Sequence, residues 1–136
     1  SGTANLPGIA GLCQGLKFVL RHRPEIREYE HALAARLRRG LRGIPGVTIL
    51  GDGDVPRVAV VRFRVQGMDS GQAADALNRR HFCLRGGLHC APAIHAYLGS
   101  DGAVRASIGP YNTEREIDAL VDAVAQIERS GRGYGQ

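Results

Sequence analysis

The sequence is poor in several residue types from which common functions are built. It has no tryptophan, and its 136 residues include only four tyrosines and three phenylalanines. That is too few aromatics for a platform on which bases stack. No stretch approaches the ~18 consecutive apolar residues that a membrane-spanning helix requires. The three cysteines, Cys13, Cys83 and Cys90, are odd in number and unpatterned in spacing. They do not make a disulfide framework, and they suit a reducing compartment such as the cytoplasm. Lysine is nearly absent: Lys17 stands alone, so the net charge of +5 rests on arginine. The densest arginine cluster, Arg36, Arg38, Arg39 and Arg42, reads as the solvated polar side of a helix. Neither nucleic acid nor a membrane is expected as a partner, and no signal peptide is legible.

What is present organises as one α+β domain. Ser1–Gly8 carries turn and cap residues and reads as a loop. Ile9, Leu12, Leu16 and Leu20 share a helical face, with Cys13 expected to pack as a small apolar residue and Lys17 to face solvent. Pro24 opens a longer helix in which Ile26, Tyr29, Leu33, Leu37 and Leu41 recur at helical spacing. Its glutamates come early and its arginines late, as the helix dipole favours. Gly40, Gly43 and Pro45 are expected to end it, and His31 to lie at the surface.

Val47–Leu50 reads as a strand, Gly51–Asp54 as a hairpin turn and Arg57–Val65 as the next strand. In the latter, Val61, Phe63 and Val65 alternate with Arg62 and Arg64, so one face is buried and the other wet. Asp69 and Gln72 spell a capping box before a helix bearing Ala73, Ala74 and Leu77. Phe82–Leu84 reads as a brief strand and Ala103–Ile108 as the return strand. Thr113 and Glu116 form a second capping box before a helix striped by Ile117, Leu120, Val121 and Val124. Ser130–Gln136 is glycine-rich and expected to fray. The expected fold is a small, antiparallel-leaning sheet with helices packed against it.

The chemistry concentrates in Leu84-Arg85-Gly86-Gly87-Leu88-His89-Cys90-Ala91-Pro92. The glycines let the backbone turn sharply and approach a ligand, and Pro92 stops a regular element from running through the cysteine. A thiol on such a loop, near Arg85 and Arg105, has the surroundings in which cysteine nucleophiles are found. From residues alone, a small apolar residue in a turn remains the other reading. Cys83, His89, Cys90 and His95 lack the close paired spacing of a structural zinc site, so no metal is expected.

The runs RGGLHCAPAIH and GAVRASIGPYNTEREID, with SGTANLPGIAGL at the start, resemble the C-terminal part of class V aminotransferases. The similarity is closest to Suf-type cysteine desulfurases and extends from Ser1 to about Ile127. It implies the small domain of a fold-type I pyridoxal-phosphate enzyme. Residues 1–8 would connect from a large domain missing from this chain, 9–129 would form the small domain and 130–136 a flexible tail. By match to the motif, Cys90 is the nucleophile that takes sulfur from L-cysteine as a persulfide, leaving L-alanine. Arg105 is the arginine that grips the substrate carboxylate. Arg85 supports the loop or the substrate's charge, and His89 bonds the substrate or helps deprotonate the thiol; a purely structural role for His89 stays open. His95 is expected to anchor the turn that follows.

The resemblance also implies pyridoxal 5′-phosphate as an electron sink, held by a lysine. Lys17 does not match that lysine, so the chain alone is expected to be inactive and to lack stably bound cofactor. A homodimer is implied at full length, and the short interval from Cys90 to Arg105 suits delivery of sulfur to a docking acceptor protein, with a role in iron–sulfur cluster assembly. Two other functions fit the same residues. One is a relative acting on another amino acid, such as selenocysteine. The other is a non-catalytic carrier that only receives a persulfide.

Overall fold

A computed structural model describes residues 2–53 and 57–132. Helix α1 (Leu6–Arg21) leads directly into α2 (Arg23–Arg42), with His22 closing the first and opening the second. Then come β1 (Val47–Ile49), β2 (Val60–Val65), α3 (Ser70–Asn78), β3 (Arg85–Gly87), α4 (Pro92–Tyr97), β4 (Ala103–Ser107) and α5 (Glu114–Arg132). The strands form one sheet in the order β1-β2-β4-β3, antiparallel throughout. This is the α+β architecture that the sequence pattern implies.

The alternation in β2 decides which face is inside. Val61, Phe63 and Val65 are buried and join Leu33, Leu37 and Leu41 of α2, Leu77 of α3, and Ile117, Leu120 and Val124 of α5 in the core. Arg62 and Arg64 take the opposite face, because successive strand side chains point opposite ways. Two capping boxes start their helices as read. Asp69 accepts from the Gly71 and Gln72 amides while Gln72 reaches back to the Asp69 amide. Thr113 and Glu116 exchange the same bonds at 2.7 and 3.2 Å.

Several local expectations are corrected. The first helix begins at Leu6, three residues before the expected start, because the Asn5 side chain accepts from the Gly8 amide and Pro7 needs no donor partner. Cys13 is exposed, as is every residue of α1, so it packs into nothing in this chain. Gly40 lies inside α2: a Cβ there would sit 2.5 Å from Val121, so glycine admits α5. Gly43 alone is the cap. His31 is half-buried.

Two of the four clustered arginines add ion pairs to an otherwise solvated face. Arg36 bonds Asp118 and Glu114 of α5, and Arg42 bonds Asp52 at 2.7 Å. Arg38 is half-buried, and burial lowers its pKa. The second strand starts at Val60, not Arg57. Phe82–Leu84 is not a strand, since Leu84 N–H turns to the Asn78 side chain and to the Phe82 carbonyl, and pairing begins at Arg85. The last helix continues to Arg132 through the expected frayed Ser130 and Gly131. Residues 133–136 lie outside the described residues, as do Asp54 of the expected hairpin turn and the two residues after it.

Candidate active site

The cysteine loop is built by three neighbouring devices. First, β3 lies hard against the start of α3: a Cβ on Gly86 would come 2.1 Å from the Ser70 carbonyl oxygen. Only glycine permits that approach. Second, the chain leaves β3 in a turn closed by Ala91 N–H to the Leu88 carbonyl at 3.0 Å. Within it His89 (φ 53°) and Cys90 (φ 59°) are both left-handed. Side chains with a Cβ resist that conformation, at a cost on the order of 1–3 kcal/mol each. Third, Pro92 opens a short helix immediately. The sequence reading has Pro92 only as a terminator; its fixed φ and missing donor suit a first helical turn equally well.

Cys90 is exposed on this turn. His89 is half-buried, and its Nε2 lies 2.9 Å from the Ala103 carbonyl oxygen. A carbonyl only accepts, so Nε2 carries the hydrogen and Nδ1 keeps a lone pair. Burial holds the His89 pKa below its ordinary value, the Ala103 bond opposes this, and Arg105, His95 and Arg85 lower it further. His89 is therefore a neutral acceptor near neutral pH.

Across the wet face of the sheet the register places Arg62 opposite Arg105 and Arg105 opposite Arg85. Like charges facing each other across strands are unfavourable. Arg105 Nε is buried without a hydrogen-bond partner among the described residues. A guanidinium row of this kind is relieved by an anion, and a carboxylate can take two parallel bonds from one fork.

The sequence-read residues thus fall into one neighbourhood. Arg85 and Arg105 pair across β3 and β4, and His89 is tied to Ala103 on the same strand as Arg105. Cys83 does not join them: it lines a separate depression with Phe82, Ile108 and Leu120. Arg62 was legible only as a wet-face residue, since its place beside Arg105 depends on strand order.

Residues 1–120 match the family described as Aminotransferase class-V. The chain belongs to this family. A probable cysteine desulfurase of Mycolicibacterium paratuberculosis is 35% identical over 136 residues, covering 99% of this chain and 20% of that protein. A cysteine desulfurase of Synechococcus elongatus is 33% identical over 94% of this chain and 20% of its own length. Among solved structures, the apo cysteine desulfurase of Thermococcus onnurineus NA1 superposes with a TM-score of 0.85 at 30% identity. It is matched over 96% of this chain and 33% of its own. The cysteine desulfurase CsdA of Escherichia coli, an S-sulfonic acid form, gives 0.82 at 29% identity over 96% and 32%. The chain therefore spans a fifth to a third of these relatives' lengths.

The class V family implies pyridoxal phosphate in its full-length proteins. The residues present do not fit a cofactor site. The one lysine, Lys17, is exposed in the middle of α1, outside the Cys90 neighbourhood. Nothing in that neighbourhood can hold the cofactor's aldehyde through an amine. Among the described residues no helix is long and apolar enough to cross a membrane.

Proposed function

We propose that this chain is the cysteine-bearing portion of a pyridoxal-phosphate cysteine desulfurase of the cytoplasm, in which Cys90 takes the sulfur of L-cysteine and L-alanine is released. The observation that carries the reading is the exposed Cys90 on a left-handed turn, tied through His89 to the strand that bears Arg105. In this reading Arg105 grips the substrate carboxylate, and Arg85, directly opposite, adds to the positive field. His89 is neutral, so it accepts a hydrogen bond instead of competing for the anion. Backbone strain held at an exposed thiol is a feature of sites where geometry matters more than local stability. The cofactor, its lysine and its phosphate contacts belong to residues other than these, and the whole enzyme acts as a homodimer. Cys90 passes its sulfur to a docked acceptor protein, for iron–sulfur cluster assembly.

The test is cysteine-dependent alanine formation by the full-length polypeptide with pyridoxal phosphate, native against Cys90→Ala. Loss of turnover in the variant supports the reading, whereas equal alanine from both removes Cys90 as the acceptor. Selenocysteine offered in parallel separates the relative that prefers it. A carrier that only receives a persulfide would make no alanine in either form.

A further inference from the structure

His95 is buried, with 1% of its surface exposed, in a chain whose other histidines are all more open. Its Nδ1 lies 2.8 Å from Ser100 Oγ. That hydroxyl donates to the Gly102 carbonyl at 3.1 Å and accepts from the Gly102 amide at 3.3 Å. When that hydroxyl gives its one hydrogen to Gly102, it meets His95 as an acceptor. In that arrangement Nδ1 of His95 carries the hydrogen and Nε2 keeps a lone pair.

The His89 ring stands 6.2 Å away, centroid to centroid. Its Nε2 hydrogen is given to Ala103, which leaves Nδ1 as a second lone pair. Both remaining nitrogens, His89 Nδ1 and His95 Nε2, are buried and without a hydrogen-bond partner among the described residues. Two buried acceptors side by side are costly unless one donor serves both. The elements involved are the ones that place Cys90: His89 precedes it in the left-handed turn, His95 lies on α4 just after it, and Ala103 begins the strand of Arg105.

We propose that His95 is a positioning residue for Cys90: with His89 it forms a buried imidazole pair whose two free nitrogens accept from one shared water, and this link holds the Cys90 turn over the start of β4. The proposal deepens the reading of Cys90 as the sulfur acceptor, because it explains how a strained turn is held against the strand that bears Arg105. The geometry itself does not depend on that reading. The charged and titratable groups that act on His89 are Arg105 and Arg85 on the sheet and His95 on α4. The two cations disfavour adding a proton to His89.

The experiment is nuclear magnetic resonance on the 136-residue chain, native, His95→Leu and His95→Gln. Hydrogen exchange of the Ala91 amide reads the closure of the Leu88–Ala91 turn, and the Leu37 and Val124 amides report the fold. Leucine removes the lone pair at similar volume; glutamine supplies an amide donor to His89 Nδ1. Exchange at Ala91 is expected to quicken about tenfold in His95→Leu, as local opening becomes easier, and to return to within about twofold of native in His95→Gln. Imidazole nitrogen shifts at neutral pH are expected to show one acceptor nitrogen on each ring, as a shared water requires. Native-like protection of Ala91 in His95→Leu overturns the proposal, as does failure of glutamine to restore it or an Nε2–H tautomer of His95. Should alanine formation prove independent of Cys90 while these results hold, the enzymatic reading fails and the positioning role stands.

Discussion

Arg105 sits between Arg62 and Arg85 with its Nε buried and without a hydrogen-bond partner among the described residues, which suits its charge to an anion. Replacing it with glutamine in the full-length protein should lower kcat/KM for cysteine roughly thirtyfold, the equivalent of about 2 kcal/mol for a lost charge-assisted contact. Steady-state kinetics check this, and most of the loss should appear in KM. His89 makes a different prediction. Its pKa is lowered in the fold from 6.5, chiefly by burial. The unfolded chain then binds more protons than the folded one between the two values. Stability from this group is complete above 6.5 and is lost as pH falls through the lower folded value. Thermal melts between pH 7.5 and 5 (roughly the range over which an imidazole titrates) should fall more steeply for native chain than for His89→Gln. Asp52, whose pKa is lowered chiefly by its bond to Arg42, acts below 3.8 and leaves that window clear. The motif singled out Cys90, Arg105, Arg85 and His89, and the structure brings Arg105, Arg85 and His89 together on β3, β4 and the turn that carries Cys90. What the motif lacked was the φ of His89 and Cys90 and the orphaned nitrogens, which depend on packing around the turn.

At the scale of elements, helix ends were the most legible features, because capping is local: Asp69 with Gln72, and Thr113 with Glu116, act within one turn. Interior glycines were misread for the opposite reason. Gly40 looks like a helix stop by type, yet its role is set by Val121, distant in the chain. Alanine in a helix interior ordinarily gains up to about 1 kcal/mol over glycine. Here Gly40→Ala should instead destabilise by about 1–3 kcal/mol through overpacking. Adding Val121→Ala should recover most of the loss, and denaturant melts of the single and double variants check the coupling. The short α4 and β3 were missed or misplaced because six and three residues give periodicity little to work with. Their existence follows from neighbours: β4 pairs with β3, and Pro92 starts α4 as soon as the turn ends.

For the molecule as a whole, the core and α1 behave as separate cases. Leu37 is wholly buried among α2, α5 and the sheet, whereas Leu12 and Leu16 are 64% and 53% exposed. Leu37→Ala should cost about 2–5 kcal/mol. Leu12→Gln with Leu16→Gln should change stability within about 0.5 kcal/mol per site. Urea melts of the two variants test this, and equal losses would mean that α1 is packed in solution. The apolar face of α1 carries Leu6, Ile9, Leu12, Leu16 and Leu20, all exposed. Its pattern is that of a buried helix, and in this chain it lies on the surface. The sequence by itself determined the helix and strand periodicities, the wet and dry faces of β2, the caps, and the cysteine motif, all of which act over a few neighbouring residues. Only the tertiary structure decided the strand order that aligns Arg62, Arg105 and Arg85, the closure of α5 onto Gly40, and the meeting of His89 with His95. Those depend on which distant segments touch, and local pattern holds no record of that.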